Sequence, residues 1–267
     1  MRRTVSRRAA VVRTVAAAAS VASLTLLLGA CGADKGAESP AKGAGASAGA
    51  SAKGEEPAAK TLTAAELEKA ALAQGDVTTH QVVNGTKADE VPPGAVKTDK
   101  PECKPLLDAA SAVPVGKPAA KVLRKAVQKP EKMKVDPTAS AEDKAKAGLD
   151  ALSQPVTADV LASYDGKGAQ EGYAAYAKAA EACAGGFGGE QAGEKLAFTK
   201  VVPDAVTGGD EAQGWTIAMK ADGTEVLTKL AVVRKGNTLA TFYTISLGGT
   251  VKEQPASLIA AQVKKLG

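Results

Sequence analysis

The sequence of 267 residues is poor in the side chains from which many active sites are built. It contains one histidine, three cysteines and few aromatic residues, namely three Phe, one Trp and four Tyr. This scarcity excludes a histidine-rich metal site, a zinc ribbon and a disulfide-dense mini-protein. The His-Glu-x-x-His and Walker patterns are absent too. We therefore expect a protein that is not an enzyme, with no catalytic residues, no metal and no cofactor.

Acidic residues are missing from the first thirty positions, which carry five of the 34 basic residues of the chain. The other 29 basic residues balance the 29 Asp and Glu, so the chain without this segment is neutral. A neutral chain lacks the electrostatic attraction that nucleic-acid binding requires, and we expect no nucleic-acid partner. The five basic residues are Arg2, Arg3, Arg7, Arg8 and Arg13.

Residues 1–30 are organised as a lipoprotein signal peptide. An apolar run of 14 residues, from Val15 to Leu28, follows the arginines. A helix of that length spans about 21 Å, which is short of the ~30 Å hydrocarbon core that a permanent transmembrane helix must cross. The run ends in Leu28-Gly29-Ala30-Cys31, which resembles a bacterial lipobox.

The lipobox predicts cleavage after Ala30 and attachment of a diacylglycerol to the thiol of Cys31. The mature protein would then be anchored by its N-terminal lipid at the extracytoplasmic face of the cell membrane. The alternative is an ordinary secretory signal that ends beside an incidental cysteine. The export route, general secretory or twin-arginine, stays open.

Residues 31–61 consist of the cysteine followed by a tract built almost entirely from Ala, Gly, Ser, Lys, Glu and Pro. Such a tract contains too little apolar surface to offset the entropy cost of ordering it. We expect a flexible tether with an end-to-end distance on the order of 30 Å. The tether would let a folded domain stand away from the membrane.

Helical patterns alternate with loops in the first part of the remaining chain. Thr63 and Glu66 form a capping box at the start of a helix, and Ser140 caps another that ends near Leu152. Residues 119–128 are ambiguous between strand and helix. We predict further helices over 103–112, over a stretch that contains Tyr173, Tyr176, Ala180 and Cys183, and after Pro255. We also predict a short strand over 77–83 and loops over 84–101 and 130–137.

Strand patterns dominate the second part. Alternation of apolar residues predicts a half-buried strand over 156–164 and strands over 215–219 and 239–247. We predict further strands over 196–202 and 225–234. Asp222-Gly223 and the 235–237 turn are hairpin signals, so the strands that they join pair antiparallel. The result is a single α+β domain over residues 62–267. We expect an antiparallel sheet that ends in a C-terminal meander, with helices packed on one face.

Several short motifs occur in a recognisable order along this domain. They are Cys103 with Pro105-Leu106-Leu107, Ser163-Tyr164-Asp165-Gly166, Cys183-Ala184-Gly185-Gly186-Phe187 and Arg234-Lys235-Gly236-Asn237. In this order they resemble the PknH-like extracellular sensor-domain family and related actinobacterial lipoproteins. The resemblance covers about residues 62–267. It implies a disulfide-supported α+β domain with a cleft, in which kinase-linked members carry two disulfides where this chain has cysteines for one.

Cys103 and Cys183 are the cysteines that remain if Cys31 carries lipid. Outside the cytoplasm a pair of thiols is usually oxidised, so a Cys103–Cys183 disulfide is expected. The alternative is two unrelated buried thiols. Catalysis by either cysteine would need a base within reach, and His80 is the one histidine. We interpret His80 as a surface or strand-edge residue and the glycines at 185–189 as a helix terminator.

These features together predict a lipid-anchored protein of the cell envelope with a noncatalytic, sensor-like domain that binds an unknown envelope ligand or protein. Two alternatives remain open. One is an envelope hydrolase that uses carboxylates, which would need two carboxyl groups in one cleft at a suitable separation. The other is a structural or chaperone-like lipoprotein, for which an exposed apolar face would be the mark.

Overall fold

The computed structural model describes residues 59–267 except 93, 131–137, 222 and 247. The loop predicted over 130–137 therefore lies almost wholly outside the described residues. Among these residues the chain forms five α-helices and nine strands. The helices are α1 (Ala64–Ala70), α2 (Lys104–Ala110), α3 (Ala141–Leu152), α4 (Gly168–Ala182) and α5 (Ala256–Leu266). The strands are β1 (His80–Asn84), β2 (Val96–Thr98), β3 (Ala120–Gln128), β4 (Val156–Ser163), β5 (Phe187–Gln191), β6 (Glu194–Asp204), β7 (Glu211–Ala221), β8 (Thr224–Lys235) and β9 (Thr238–Ile245).

The strands form a sheet in the order β1-β3-β4-β9-β8-β7-β6-β5-β2. Every neighbouring pair is antiparallel, which confirms the α+β class and the C-terminal meander. The two edge strands, β1 and β2, are close in sequence although they lie at opposite ends of the sheet. Residues 85–95, here called the crossing segment, therefore connect one edge of the sheet to the other.

Helices lie on both faces of the sheet, which corrects the expectation that they pack on one face. Leu230 and Val232 of β8 pack in one apolar cluster with side chains of α2 and α4. Ala231 and Val233 belong to a second cluster, which contains side chains of α1 and α5. Because successive strand residues point to opposite faces, the two clusters lie on opposite sides of β8. A strand covered on both faces is apolar at consecutive positions. β8 therefore lacks the alternation of apolar and polar residues that is typical of a half-buried strand.

The hairpin predictions are confirmed at both turns. Ala221 pairs with Thr224 at the β7–β8 turn, and Lys235 pairs with Thr238 at the β8–β9 turn. Gly236 has a φ of +56° in the second turn, a left-handed conformation that favours glycine. Local turn chemistry therefore sets the register of the meander.

Helix starts also follow their local signals. Thr63 and Glu66 form the predicted capping box at α1, and the Asp143 amide donates to Ser140 Oγ at 3.0 Å before α3. Pro255 occupies the N-cap position of α5. Each of these contacts joins residues that are neighbours in the sequence.

The ambiguous segment 119–128 is strand β3, because it pairs with β1 on one side and β4 on the other. The predicted loop over 84–101 contains the three-residue strand β2, which is too short to show a period. The glycine interpretation is correct only in part. Gly188 and Gly189 lie inside β5, where an added Cβ would meet Asp99 Oδ2 or Leu107 Cδ1 at 2.8 Å.

The first described residues already contact the domain. Asn237 Nδ2 donates to the Ala59 carbonyl, and Thr61 Oγ1 donates to the Tyr164 carbonyl at 2.8 Å. The Leu62 amide donates to Ser163 Oγ at 2.7 Å. These bonds attach the start of the domain to the end of β4. Within the described ranges, no helix has the length and apolar character needed to cross a membrane.

Candidate functional site

A cleft of about 780 Å³ lies beside β3. Its walls come from α1, from the first half of β3, from the crossing segment and from residues 112–120, which connect α2 to β3. Glu68 and Arg124 line it on the side of α1, whereas Asp108 and Val160 line it on the side of α2. The cleft therefore reaches around the edge of β3 to both faces of the sheet.

The edge of β3 is open where it borders the cleft. β1 covers only Arg124–Gln128 of β3, and beyond it the Gly85 amide donates to the Leu123 carbonyl at 2.9 Å. The Lys129 amide donates to the Thr79 carbonyl on the same side, so the odd-numbered residues of β3 face β1. The N–H and C=O of Lys121 follow this alternation and point into the cleft. In the part of the chain that the structure describes, no strand pairs with them.

Charged side chains surround this open edge, and most are in ion pairs. Arg124 lies 2.5 Å from Glu68, and its side chain is 7% exposed. Lys104 Nζ lies 2.6 Å from both carboxylate oxygens of Asp108. Burial raises the pKa of Asp108, and the bond from Lys104 opposes that shift. Each of these pairs fixes a side chain of the cleft wall to its own helix or to a neighbouring strand.

Two further charged residues at the cleft have no such partner. Lys121 and Glu90 are exposed and line the cleft. Among the described residues, no ion pair involves either side chain. They are the charges of the wall that remain available to a bound molecule.

The crossing segment is held at three points. Gly85 bonds to β3 as described, and the Ala192 amide donates to the Ala95 carbonyl at 3.0 Å. Between them, Lys125 Nζ donates to Asp89 Oδ1 at 2.7 Å. Hydrogen bonds from Lys125 and Thr86 lower the pKa of Asp89 to about 2. The carboxylate therefore stays ionised at neutral pH and holds the segment against β3.

A second cavity, of about 480 Å³, adjoins the first. The two share residues 89–92, Ala112 and Leu123. The second cavity is also lined by Ala158 of β4 and Gln191 of β5. The crossing segment therefore contributes to both spaces.

The structure brings Cys103 and Cys183 to disulfide distance, with their Cα atoms 5.9 Å apart and both side chains fully buried. Cys103 immediately precedes α2, and Cys183 immediately follows α4. Because α2 carries Asp108 and leads into residues 112–120, this contact also positions one wall of the cleft.

The other residues considered in the sequence lie away from the cleft wall. His80 is on edge strand β1 but is only 8% exposed, so it is not a surface residue. Its Nδ1 lies 3.0 Å from Thr79 Oγ1, and burial lowers its pKa, with a smaller contribution from Lys129.

The sequence did not single out the residues that define the cleft, which are Lys121, Arg124 and Asp108. Lys121 and Arg124 belong to the segment that was ambiguous between strand and helix, so their faces were not defined. Asp108 was one acid among 29. Its position four residues after Lys104 in a predicted helix was the one available signal of an ion pair.

No protein-family model matches the chain. No curated protein matches it either. Among solved structures, the chain is similar to the extracellular domain of PknH from Mycobacterium tuberculosis, with a TM-score of 0.46 and 11% sequence identity. The match covers 78% of this chain and 97% of that domain. A similarity at this level carries no information about function.

Proposed function

We propose that the protein is a lipid-anchored, extracytoplasmic binding protein whose domain holds a ligand or protein partner in the cleft without transforming it. The observation that carries this proposal is the cleft of about 780 Å³ beside the first half of β3, which β1 does not cover. A volume in this range is typical of ligand sites, which combine apolar walls with a few placed polar groups. The lipobox at Cys31 and the Ala/Gly/Ser-rich tract that follows it support an anchored location at the extracytoplasmic face of the membrane.

The open edge favours an extended peptide or peptide-like molecule as the ligand. Lys121 presents one backbone donor and one backbone acceptor, which is what an added strand requires. Lys121 Nζ and Glu90 offer one charge of each sign beside that edge. Pro92, Pro114 and Pro118 in the surrounding walls have no N–H, so they cannot compete as donors.

Binding can be tested on the mature domain with extended peptides, peptidoglycan fragments and envelope glycolipids. A saturable increase in melting temperature would identify a ligand. Silence across all three classes would count against the proposal.

The peptide mode has a matched pair of variants. Lys121→Pro removes the N–H that faces the cleft, whereas Lys121→Ala removes the charge and keeps the N–H. Loss of one backbone hydrogen bond should weaken binding about fivefold in the proline variant relative to the alanine variant. Equal affinities would show that the ligand does not bond to this edge.

Lipid anchoring is tested by intact-mass analysis of membrane-extracted protein. We expect a chain that begins at Cys31 and carries acyl mass. Cys31→Ser should block lipidation and release the mature domain from membranes, unless the signal segment stays uncleaved. A mature chain that begins elsewhere would contradict the anchor.

A disulfide between Cys103 and Cys183 is part of the same proposal, since their separation suits a bond and the compartment favours oxidation. Non-reducing peptide mapping of envelope-purified protein should recover the two cysteine peptides as one linked species. Free thiols at both positions would contradict it.

We do not advance the two alternative functions. A carboxylate hydrolase would need two carboxyl groups free to act in one cleft. Of the described acids that line this cleft, Glu68, Asp89 and Asp108 are in ion pairs, which leaves Glu90 alone. The Gly-x-Ser-x-Gly pattern that marks the nucleophile of many serine hydrolases occurs once, at 45–49. It lies in the Ala/Gly/Ser-rich tract that precedes the domain. A chaperone-like surface would need a continuous apolar face. The large apolar side chains exposed in the described residues belong to four different elements, and they are Val83, Leu149, Val202 and Ile245.

A further inference from the structure

Asp159 is a buried carboxyl group for which the fold provides no obvious role. It lies on β4, is 1% exposed, and neither of its side-chain oxygens has a hydrogen-bond partner among the described residues. Its cross-strand neighbours are Arg124 on β3 and Phe242 on β9. A buried polar group without a partner is costly, so such a group calls for an explanation.

Asp159 faces the side of the sheet that carries α1 and α5. Charged or titratable residues of the elements around it include Arg124 of β3, Glu68 of α1, His80 of β1 and Lys229 of β8. Lys229 is engaged with Asp204 at 2.7 Å. Arg124 is the one that lies directly opposite Asp159 in the strand register. The side chains of α5 on this face, Leu258, Ile259 and Gln262, carry no charge.

Arg124 has its donors directed elsewhere. Its Nε donates to the Leu72 carbonyl at 2.9 Å, just beyond the C-terminal end of α1. Its guanidinium also pairs with Glu68 and donates from Nη1 to the Leu123 carbonyl at 3.3 Å. These bonds tie α1 to β3 at the rim of the cleft, because Glu68 and Arg124 both line that space.

We propose that Asp159 and Arg124 form a proton-controlled latch on this rim. While Asp159 carries its proton, Arg124 stays bonded to Leu72 and Glu68 and holds α1 against β3. When Asp159 releases the proton to solvent, the buried carboxylate attracts the guanidinium across the strand pair. Arg124 then leaves Leu72 and Glu68, and the α1 side of the cleft loosens.

Two physical facts support the exchange. An ionised carboxylate in a dry interior must gain a charge partner, and Arg124 is the opposite charge in register with it. Burial also raises the pKa of Asp159 to about 7, although the charge of Arg124 opposes this shift. The proton would thus be lost in a range that an extracytoplasmic protein meets. The statement that the latch regulates ligand access rests on the proposed function of the cleft.

The exchange can be observed in the unmodified mature domain by NMR titration between about pH 5 and 9. We expect the Asp159 carboxyl carbon and the Arg124 Nε signal to move with the same midpoint, because the acceptor of Nε changes from Leu72 to Asp159. A titrating Asp159 beside an unchanged Arg124 signal would overturn the latch. An Asp159 carboxyl that does not titrate in this range would also overturn it.

Hydrogen exchange of residues 64–74 provides the second measurement, with rates corrected for their intrinsic pH dependence. One pH unit above the midpoint about 10% of Asp159 remains protonated, so protection should fall by about tenfold in the wild type. Asp159→Asn, which cannot ionise, should abolish that fall. Glu68→Gln is the control, because it should lower protection without removing the pH dependence. An Asp159→Asn variant that keeps the wild-type pH dependence would contradict the latch, and a cleft that binds nothing would leave this readout unaffected.

Discussion

The region from β5 to β9 and the region from α1 to β4 are built in different ways. In the first, five strands follow one another in the sheet in the order of the sequence, joined by hairpins. In the second, β1 and β2 lie at opposite edges, and β3 depends on β1 and β4 for its partners. We call these the meander half and the cleft half. Local connections close the meander at little entropy cost, whereas the cleft half needs contacts between distant residues.

Burial differs in the same direction. β9 is buried at every position except its last, whereas β1 is buried at two of five positions and β2 at none. The meander half leaves little backbone without a partner. The cleft half keeps an open strand edge at Lys121 and a carboxyl without a partner at Asp159. In these two regions, the buried side-chain oxygens without a partner among the described residues, those of Ser111 and Asp159, both lie in the cleft half.

The largest expected effect comes from removing the contact between Cys103, in the cleft half, and Cys183, which lies just before β5. A bond that closes a loop of about 80 residues contributes roughly 4–5 kcal/mol in the chain-entropy model. Cys183→Ala should therefore lower the melting temperature by several degrees, while circular dichroism should still show the antiparallel sheet. Cys103→Ala should match it, and the double variant should add nothing. Additive losses would mean that the two thiols act separately.

The second effect is a pH dependence that belongs to the cleft half. The folded-state pKa of Asp159, about 7, exceeds its ordinary value, so the folded protein binds the extra proton. Stability from this group is complete below about pH 4, falls as pH rises, and is lost above about pH 7. The total is at most on the order of 4 kcal/mol.

Asp159→Asn should therefore have the same free energy of unfolding as the wild type in acid and a higher one in mild alkali. Urea unfolding at both pH values measures the difference. Glu181→Gln removes an exposed carboxyl and serves as the control. An Asp159→Asn variant whose advantage does not grow with pH would show that Asp159 does not ionise in the folded state.

The third effect tests how rigid the meander half is. Gly186 has a φ of +91°, and an added Cβ would lie 2.4 Å from the Phe198 carbonyl oxygen. Gly186→Ala should lower the free energy of unfolding by about 2–3 kcal/mol, because backbone of β6 would have to move. Gly185→Ala is the matched control, since a Cβ there meets nothing within 4 Å. Equal unfolding free energies for the two variants would contradict the prediction.

The smallest effect is the same kind of test in the cleft half. An added Cβ at Gly85 would lie 2.6 Å from Leu123 Cγ, which is a side-chain atom at the wall of the cleft. The added Cβ would also lie 2.8 Å from Leu123 Cβ, so the backbone at Gly85 must shift, but this backbone borders open space and can move more easily than β6. Gly85→Ala should therefore lower the unfolding free energy by about 1–2 kcal/mol, less than Gly186→Ala. Chemical unfolding of Gly85→Ala and Gly186→Ala under the same conditions measures the two losses of unfolding free energy. A larger loss at Gly85 than at Gly186 would reverse the assignment of the rigid half.

Residues that act locally were predicted well from the sequence. The capping box at Thr63 and the turn at Gly236 each depend on residues a few positions apart, and the structure confirms both. Prediction failed where partners are distant. Strand β2 has three residues and exists because it pairs with β5. Its first residue, Val96, pairs with Gln191, more than ninety positions further along the chain. His80 was interpreted as a surface or strand-edge residue, and the structure places it on edge strand β1, where it is only 8% exposed.

The sequence by itself determined the class of the domain, the hairpins of the meander, the charge balance and the identity of the two cysteines that meet. These properties depend on composition, turn residues and short periods, which act within a few residues. Only the tertiary structure decided that both faces of the sheet are covered, that β1 stops short of the first half of β3, and that Asp159 lies opposite Arg124. The first follows from the packing of helices and the other two from the pairing of strands. Contacts of both kinds leave no periodic signal in one element alone.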